Sequence, residues 1–209
     1  VANATYRAEG IRGIRPMLDG EHYTQISSDG KRLVKYSFKT GKEVATIFDV
    51  ETARDCTIKH FDDYIMSPNE SLILIQTDTK PIYRHSFTAN YYIFNVKNNK
   101  MEPLSTGGPQ QVPLFSPDGN QIAFVRNNNI YLVKLLFNNS ESQITTDGKY
   151  NEVLNGIPDW VYEEEFGFNR AFDFSADSKM IAYIRFDESK VPMYSFPLYK
   201  GKSPSLDQY

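Results

Sequence analysis

The chain has 209 residues, of which 40% are hydrophobic and 14% aromatic, so it can bury a sizeable core as one domain or part of one. Its formal net charge of -3 comes from interspersed acidic and basic residues, which leaves no basic stripe for a nucleic-acid backbone. No apolar run reaches the roughly 18 residues of a membrane-spanning helix, and residues 1–7 lack the layout of a signal peptide. These features predict a mature, soluble chain that does not bind nucleic acid.

Cysteine and histidine residues are sparse in this sequence. Cys56 is the only cysteine, which excludes an internal disulfide and a cysteine metal cage, and we expect it to be half-buried in a strand. The three histidines, His22, His60 and His85, lie far apart and show no i, i+4 spacing. The sequence therefore predicts neither a metal site nor a cofactor.

In chain order, one short phrase occurs four times, and each copy precedes an apolar strand. The phrase combines serine with Pro, Asp or Asn, and Gly, which form a tight turn because Pro fixes φ, Asp or Asn bonds nearby backbone, and Gly adopts positive φ. The copies are separated by roughly 40 to 60 residues, the length of a four-stranded propeller blade with insertions. They begin at Ser28, Ser67, Ser116 and Ser175.

The strands after these turns are apolar almost without interruption, which predicts that both of their faces are covered. They include 72–75, 122–125 and 181–184, and the three asparagines at 127–129 are typical of a hairpin tip. We therefore predict an all-β fold of β-propeller blades, each a four-stranded antiparallel sheet. About four blades fit into 1–209, so we expect a single partial propeller domain, an incomplete arc truncated at its end.

One segment, 159–168, departs from the strand pattern and predicts a short helix. Asp159 is a suitable N-cap, and Glu163, Glu164 and Glu165 fall in the second turn. A plain surface helix is one explanation, because acidic runs usually face water and the helix dipole favours acids near a helix start.

The aromatic residues around the acids favour a second explanation. Four aromatic side chains lie within nine residues, more than a surface helix needs. A carboxylate pair kept partly dry by such neighbours repels itself and attracts a cation. Each charge-assisted hydrogen bond to a bound ammonium group contributes on the order of 1.5 to 3 kcal/mol, so the acidic run is a candidate ammonium receptor. The aromatic residues are Trp160, Tyr162, Phe166 and Phe168.

The segment 159–166, DWVYEEEF, closely resembles the double-glutamate motif of the dipeptidyl peptidase IV family, within the prolyl oligopeptidase clan. The resemblance implies that Glu164 and Glu165 bind the free amino terminus of a peptide and so limit the enzyme to dipeptide release. Glu163 matches a first glutamate that the family does not use directly. The remaining motif positions, which we expect to support the site, are Asp159, Trp160 and Tyr162.

A second segment, 83–91, is similar to the family stretch whose arginine hydrogen-bonds a carbonyl of the substrate. The resemblance gives this role to Arg84, with His85 as a supporting neighbour; on its own, Arg84 would be a surface ion-pair partner. His85 and Ser86 are not expected to form a catalytic pair, because adjacent residues of a strand point to opposite faces. The segment 185–194 also looks like the family sequence.

The resemblance further implies an eight-bladed propeller followed by an α/β-hydrolase domain that carries the catalytic serine, aspartate and histidine. This chain has no Gly-x-Ser-x-Gly pentapeptide, so we expect no catalytic residue in it and no activity from it alone. The whole protein is expected to be a serine exopeptidase that releases Xaa-Pro or Xaa-Ala dipeptides and forms a homodimer. The lack of cysteine pairs favours an exported bacterial member, periplasmic or on the cell surface.

Two alternatives stay open at this point. A prolyl tripeptidyl aminopeptidase resembles the same family but cleaves the peptide one residue further from its amino terminus. A propeller without catalytic activity that binds peptide or protein termini would need the same acidic receptor and no hydrolase domain.

Overall fold

The computed structural model describes residues 13–193, 195–199 and 205–208. In these ranges the first three repeats each form a four-stranded antiparallel sheet, which we call the first, second and third blades. The first blade consists of β1 (Arg15–Pro16), β2 (His22–Ile26), β3 (Arg32–Ser37) and β4 (Glu43–Asp49). The second consists of β5 (Asp63–Met66), β6 (Leu72–Pro81), β7 (Phe87–Asn95) and β8 (Lys100–Pro103). The third consists of β9 (Gln111–Phe115), β10 (Gln121–Arg126), β11 (Asn129–Lys134) and β12 (Ser140–Gln143), with a 3₁₀ turn at Leu135–Phe137.

The fourth repeat is divided into two short ladders. β13 (Val153–Asn155) pairs with β16 (Arg185–Asp187), and β14 (Phe172–Phe174) pairs with β15 (Ile181–Tyr183); α1 (Trp160–Phe166) lies between β13 and β14 in sequence. The division falls at Ile184, whose backbone bonds Gly156 and Ala171. A last ladder pairs β17 (Ser195–Leu198) with β18 (Ser205–Gln208). Three four-stranded sheets and a partial fourth confirm the predicted all-β arc of propeller blades.

A serine hydroxyl closes each of the four repeated turns. In the third turn, Ser116 Oγ donates to Asp118 Oδ1 at 2.6 Å and accepts the N–H of Gln121 at 2.9 Å. In the first turn this position belongs to Ser27, not to the predicted Ser28, because Ser27 Oγ accepts the N–H of the strand residue Arg32. The fourth turn residue has positive φ in every copy, which only glycine adopts freely. These residues are Gly30 (68°), Glu70 (57°), Gly119 (72°) and Ser178 (61°).

The core lies between the blades. Along β6, Ile73 and Ile75 pack against the first blade while Leu74 packs against the third, because successive strand residues point to opposite faces. All three side chains are fully buried, which confirms the prediction that both faces of this strand are covered. The strand β10 repeats the alternation: Ile122 and Phe124 face the second blade, and Ala123 and Val125 face the fourth repeat.

Some local predictions were wrong. Cys56 is half-buried as expected, but it lies in the loop after β4, where its thiol contacts the carbonyl of Ile58. His85 and Ser86 lie in the loop between β6 and β7, so the expectation that they occupy a strand fails. The prediction that 181–184 is covered on both faces was also wrong, because Tyr183 is 43% exposed and Ile184 52% exposed within the described residues. Residues 1–7, Tyr194 and the predicted end at Tyr209 lie outside the described ranges.

Candidate functional site

Local sequence sets both ends of α1. The side chain of Asp159 accepts the N–H of Tyr162 at 2.9 Å, which makes it the predicted N-cap. Gly167 follows the helix with φ of 69° and donates its N–H to the carbonyl of Glu163, a conformation that glycine adopts without strain. The helix is therefore limited to seven residues and presents its glutamates at a fixed place next to the second blade.

The three consecutive glutamates point in different directions, because residues of a helix are about 100° apart around its axis. Glu163 points inward and is 1% exposed. Its Oε1 accepts the backbone N–H of His85 at 2.7 Å and that of Ser86 at 2.8 Å. Glu163 therefore binds the loop 82–86 of the second blade rather than solvent.

Glu164 and Arg84 form the ion pair that brings the two similar segments together. Glu164 Oε2 lies 3.0 Å from Arg84 Nε, although the residues are 80 positions apart in sequence. The Glu164 side chain is 23% exposed and that of Arg84 is 72% exposed, so the pair opens to solvent on the arginine side. Glu165 is exposed on the next face of the helix. The structure thus joins Arg84 to the acidic helix and leaves Glu165 accessible to a ligand.

The aromatic residues enclose the acids less than the sequence predicted. Trp160 is 49% exposed, Tyr162 44% and Phe166 68%, so these rings do not enclose Glu165, which is exposed as well. Tyr162 contacts Phe166 and Phe186, with ring centroids 5.3 and 5.0 Å away. This aromatic group packs α1 against β16.

Asn169 also contacts the loop 82–86, and the sequence did not indicate this. Its Nδ2 donates to the carbonyl of His85 at 2.9 Å, so the N–H and the C=O of His85 are both bonded by the α1 segment. His85 therefore contacts this segment through its backbone. No local signal marks Asn169, because its partner lies 84 residues away in sequence.

A cavity of about 450 Å³ lies next to Phe87, the first residue after the loop 82–86. Phe87, Asn169 and Arg170 line the side next to the acidic helix, and Arg15 and Tyr91 line the side toward the first and second blades. Among the described residues, no group of three or more His, Cys, Asp or Glu is arranged to hold a metal ion. Within the same ranges, no helix has the length and apolar character needed to cross a membrane.

Comparisons with known proteins agree with this architecture. The family model described as the dipeptidyl peptidase IV (DPP IV) N-terminal region matches residues 67–209. Dipeptidyl peptidase 4 of Trichophyton equinum is 35% identical over 211 residues, covering 100% of this chain and 26% of the relative. A probable dipeptidyl-aminopeptidase B of Talaromyces stipitatus is 40% identical over 153 residues, covering 68% of this chain and 17% of the relative.

The same relationship appears in three dimensions. The crystal structure of Porphyromonas gingivalis dipeptidyl peptidase 4 superposes with a TM-score of 0.88 at 46% identity, covering 95% of this chain and 28% of that one. The chain thus spans about a quarter of the length of the dipeptidyl peptidases 4 that it matches. Since the family model covers more than half of the residues, the chain belongs to the family of dipeptidyl peptidase IV N-terminal regions.

Proposed function

We propose that this chain is the substrate-positioning part of a serine exopeptidase that releases Xaa-Pro or Xaa-Ala dipeptides. In this proposal Glu164 and Glu165 bind the ammonium group of the peptide, and Arg84 binds a backbone carbonyl. The hydrolase domain that the resemblance implies then attacks the bond two residues from the amino terminus. The propeller contributes by orienting the peptide, which lowers the entropic part of the barrier.

The ion pair between Arg84 and Glu164 is the observation that carries the proposal. Donors for a carbonyl and acceptors for an ammonium group stand side by side, as the first residue of an extended peptide requires. Arg84 is 72% exposed, so most of its donors are open to a ligand. Glu165, the residue after Glu164, is exposed, so the second acceptor is also accessible.

The test is substitution of Glu165 in the full-length protein, measured on a Gly-Pro reporter peptide. We expect Glu165→Gln to reduce kcat/KM by roughly 10-fold to 150-fold, which corresponds to one charge-assisted hydrogen bond of about 1.5 to 3 kcal/mol. The thermal unfolding midpoint should not change, because the side chain is exposed. Glu43→Gln, an exposed glutamate on β4, is the matched control and should leave kcat/KM unchanged. Full activity of Glu165→Gln would remove the ammonium clamp from the proposal.

Product length distinguishes the closest alternative. Mass spectrometry of a defined peptide should show loss of two residues at a time, whereas a prolyl tripeptidyl aminopeptidase would remove three. Binding of the same peptide without any cleavage by the full-length protein would favour a propeller that only captures termini.

The whole protein's environment and assembly belong to the same proposal. We expect a homodimer by analytical ultracentrifugation and an exported location by cell fractionation. Recovery of the full-length protein in the cytosolic fraction would contradict the second expectation.

A further inference from the structure

The buried Glu163 and the neighbouring Asn169 connect the two segments that carry the proposed binding groups. Glu163 accepts both N–H groups that follow Arg84 in the chain, at 2.7 and 2.8 Å. Asn169 donates to the carbonyl of His85 at 2.9 Å. We propose that Glu163 and Asn169 are positioning residues, which fix the backbone of Arg84 relative to Glu164 and thereby set the spacing between the carbonyl donor and the ammonium acceptor. This inference rests on the proposed function of Arg84 and Glu164.

Burial and chemistry separate Glu163 from the two glutamates beside it. It is 1% exposed, so it cannot contact a peptide, and the same carboxylate oxygen accepts both of its hydrogen bonds. Hydrogen bonds from backbone N–H groups to a carboxylate are roughly twice as strong as those between neutral groups. A single buried side chain thus holds two successive peptide units of the loop.

The backbone of the loop closes on Ser86, whose carbonyl accepts the N–H of Ile82 at 2.9 Å and that of Tyr83 at 3.3 Å. The bonds to Glu163 and Asn169 attach this closed loop to the segment that carries Glu164. The Arg84 side chain extends from this loop and is largely exposed, so its position follows that of the backbone next to it. Misplacement of a positioning group by about 1 Å can cost a hundredfold in rate, which makes the anchor consequential for turnover.

Asn169 supplies the cleaner experiment, because it is half-buried whereas Glu163 is fully buried, so its substitution should disturb folding less. In the full-length protein, Asn169→Ala should lower kcat/KM on a Gly-Pro reporter by roughly 10-fold, the equivalent of about 1.4 kcal/mol. The same substitution in an Arg84→Ala background should change kcat/KM by less than about twofold, because the group that Asn169 positions is already gone.

A second series tests what Glu163 contributes. Glu163→Gln keeps the accepting oxygen in place, whereas Glu163→Asp keeps the charge but withdraws the carboxylate by one carbon–carbon bond, about 1.5 Å. Positioning through the two N–H groups predicts that Gln retains more activity than Asp. A direct electrostatic role toward the ammonium group predicts the reverse order. Thermal unfolding of each variant identifies any that fails to fold, and the Asn169 series decides the matter in that event.

The outcomes separate the inference from the function on which it rests. If Arg84→Ala alone leaves kcat/KM unchanged, the proposed function fails and the inference fails with it. If Arg84→Ala lowers kcat/KM but Asn169→Ala lowers it equally in both backgrounds, only the positioning role is overturned. A smaller effect of Asn169→Ala in the Arg84→Ala background, together with the Gln-above-Asp order at position 163, supports it.

Discussion

Removing the hydroxyl of Ser116 should lower the local free energy of unfolding of the third blade substantially, although the group is small. It is fully buried, donates to Asp118 and accepts the N–H of Gln121. Ser116→Ala removes both bonds and leaves the Gln121 N–H without a partner next to a fully buried side chain. The cost of an unsatisfied buried donor is about 1 to 3 kcal/mol, so we expect a local loss of about 2 kcal/mol.

Amide hydrogen exchange of the full-length protein, read by mass spectrometry on peptides covering 111–126, measures this loss directly. A loss of about 2 kcal/mol corresponds to roughly 30-fold faster exchange in that segment. Ser67→Ala should behave in the same way in the second blade, because Ser67 is 2% exposed and makes the equivalent bonds.

The matched control is Ser28→Ala in the first turn. Ser28 is exposed and occupies the position that Pro68, Pro117 and Ala176 hold in the other copies, so its hydroxyl should not matter. If Ser116→Ala and Ser28→Ala each increased the amide exchange rate of their own turn by the same factor, the argument that the serine hydroxyl closes the turn would be refuted.

Three further predictions follow from titratable groups. The proposed clamp needs a charged substrate amine, whose pKa is about 7.7 to 8.0, so kcat/KM should fall above about pH 8; a flat profile to pH 10 would contradict an ammonium receptor. Burial raises the pKa of the Cys56 thiol, so iodoacetamide should label its peptide more slowly in the native protein than in urea at pH 8. The pKa of Asp187 is lowered from 3.8 to about 2, first by the Ser189 hydroxyl and backbone and then by Arg185. Its contribution to stability is therefore present above pH 3.8 and lost as pH falls through about 2; Ser189→Ala should move the NMR titration of Asp187 back toward 3.8.

Features that depend on neighbours in sequence could be predicted. The serine turns, the N-cap at Asp159 and the asparagine hairpin follow from side chains that act on backbone a few residues away. Asn127 and Asn128 do adopt positive φ, at 49° and 60°, between β10 and β11. The continuous apolar strands likewise predict two covered faces, and β6 and β10 have them.

Features that depend on distant partners could not be predicted. Nothing near Glu163 in the sequence indicates that its carboxylate binds backbone 77 and 78 residues away. The same holds for Asn169, and for the division of the fourth repeat, which follows from the bonds that Ile184 makes to Gly156 and Ala171. The sequence also does not distinguish Ser27 from Ser28, since only the bond to Arg32 shows which hydroxyl closes the turn.

The repeated turns also bond the first blade to the second and the third blade to the fourth repeat. The carbonyl of Gly30 accepts the N–H of Phe61 at 2.9 Å, Glu70 accepts the N–H of Leu18 at 2.7 Å, and Ser178 Oγ accepts the N–H of Asp118 at 3.0 Å. With the apolar clusters also shared across these seams, the arc behaves as a one-dimensional array with nearest-neighbour coupling. Opening the second or the third blade therefore breaks the contacts of two seams at once, so neighbouring blades should lose their structure together.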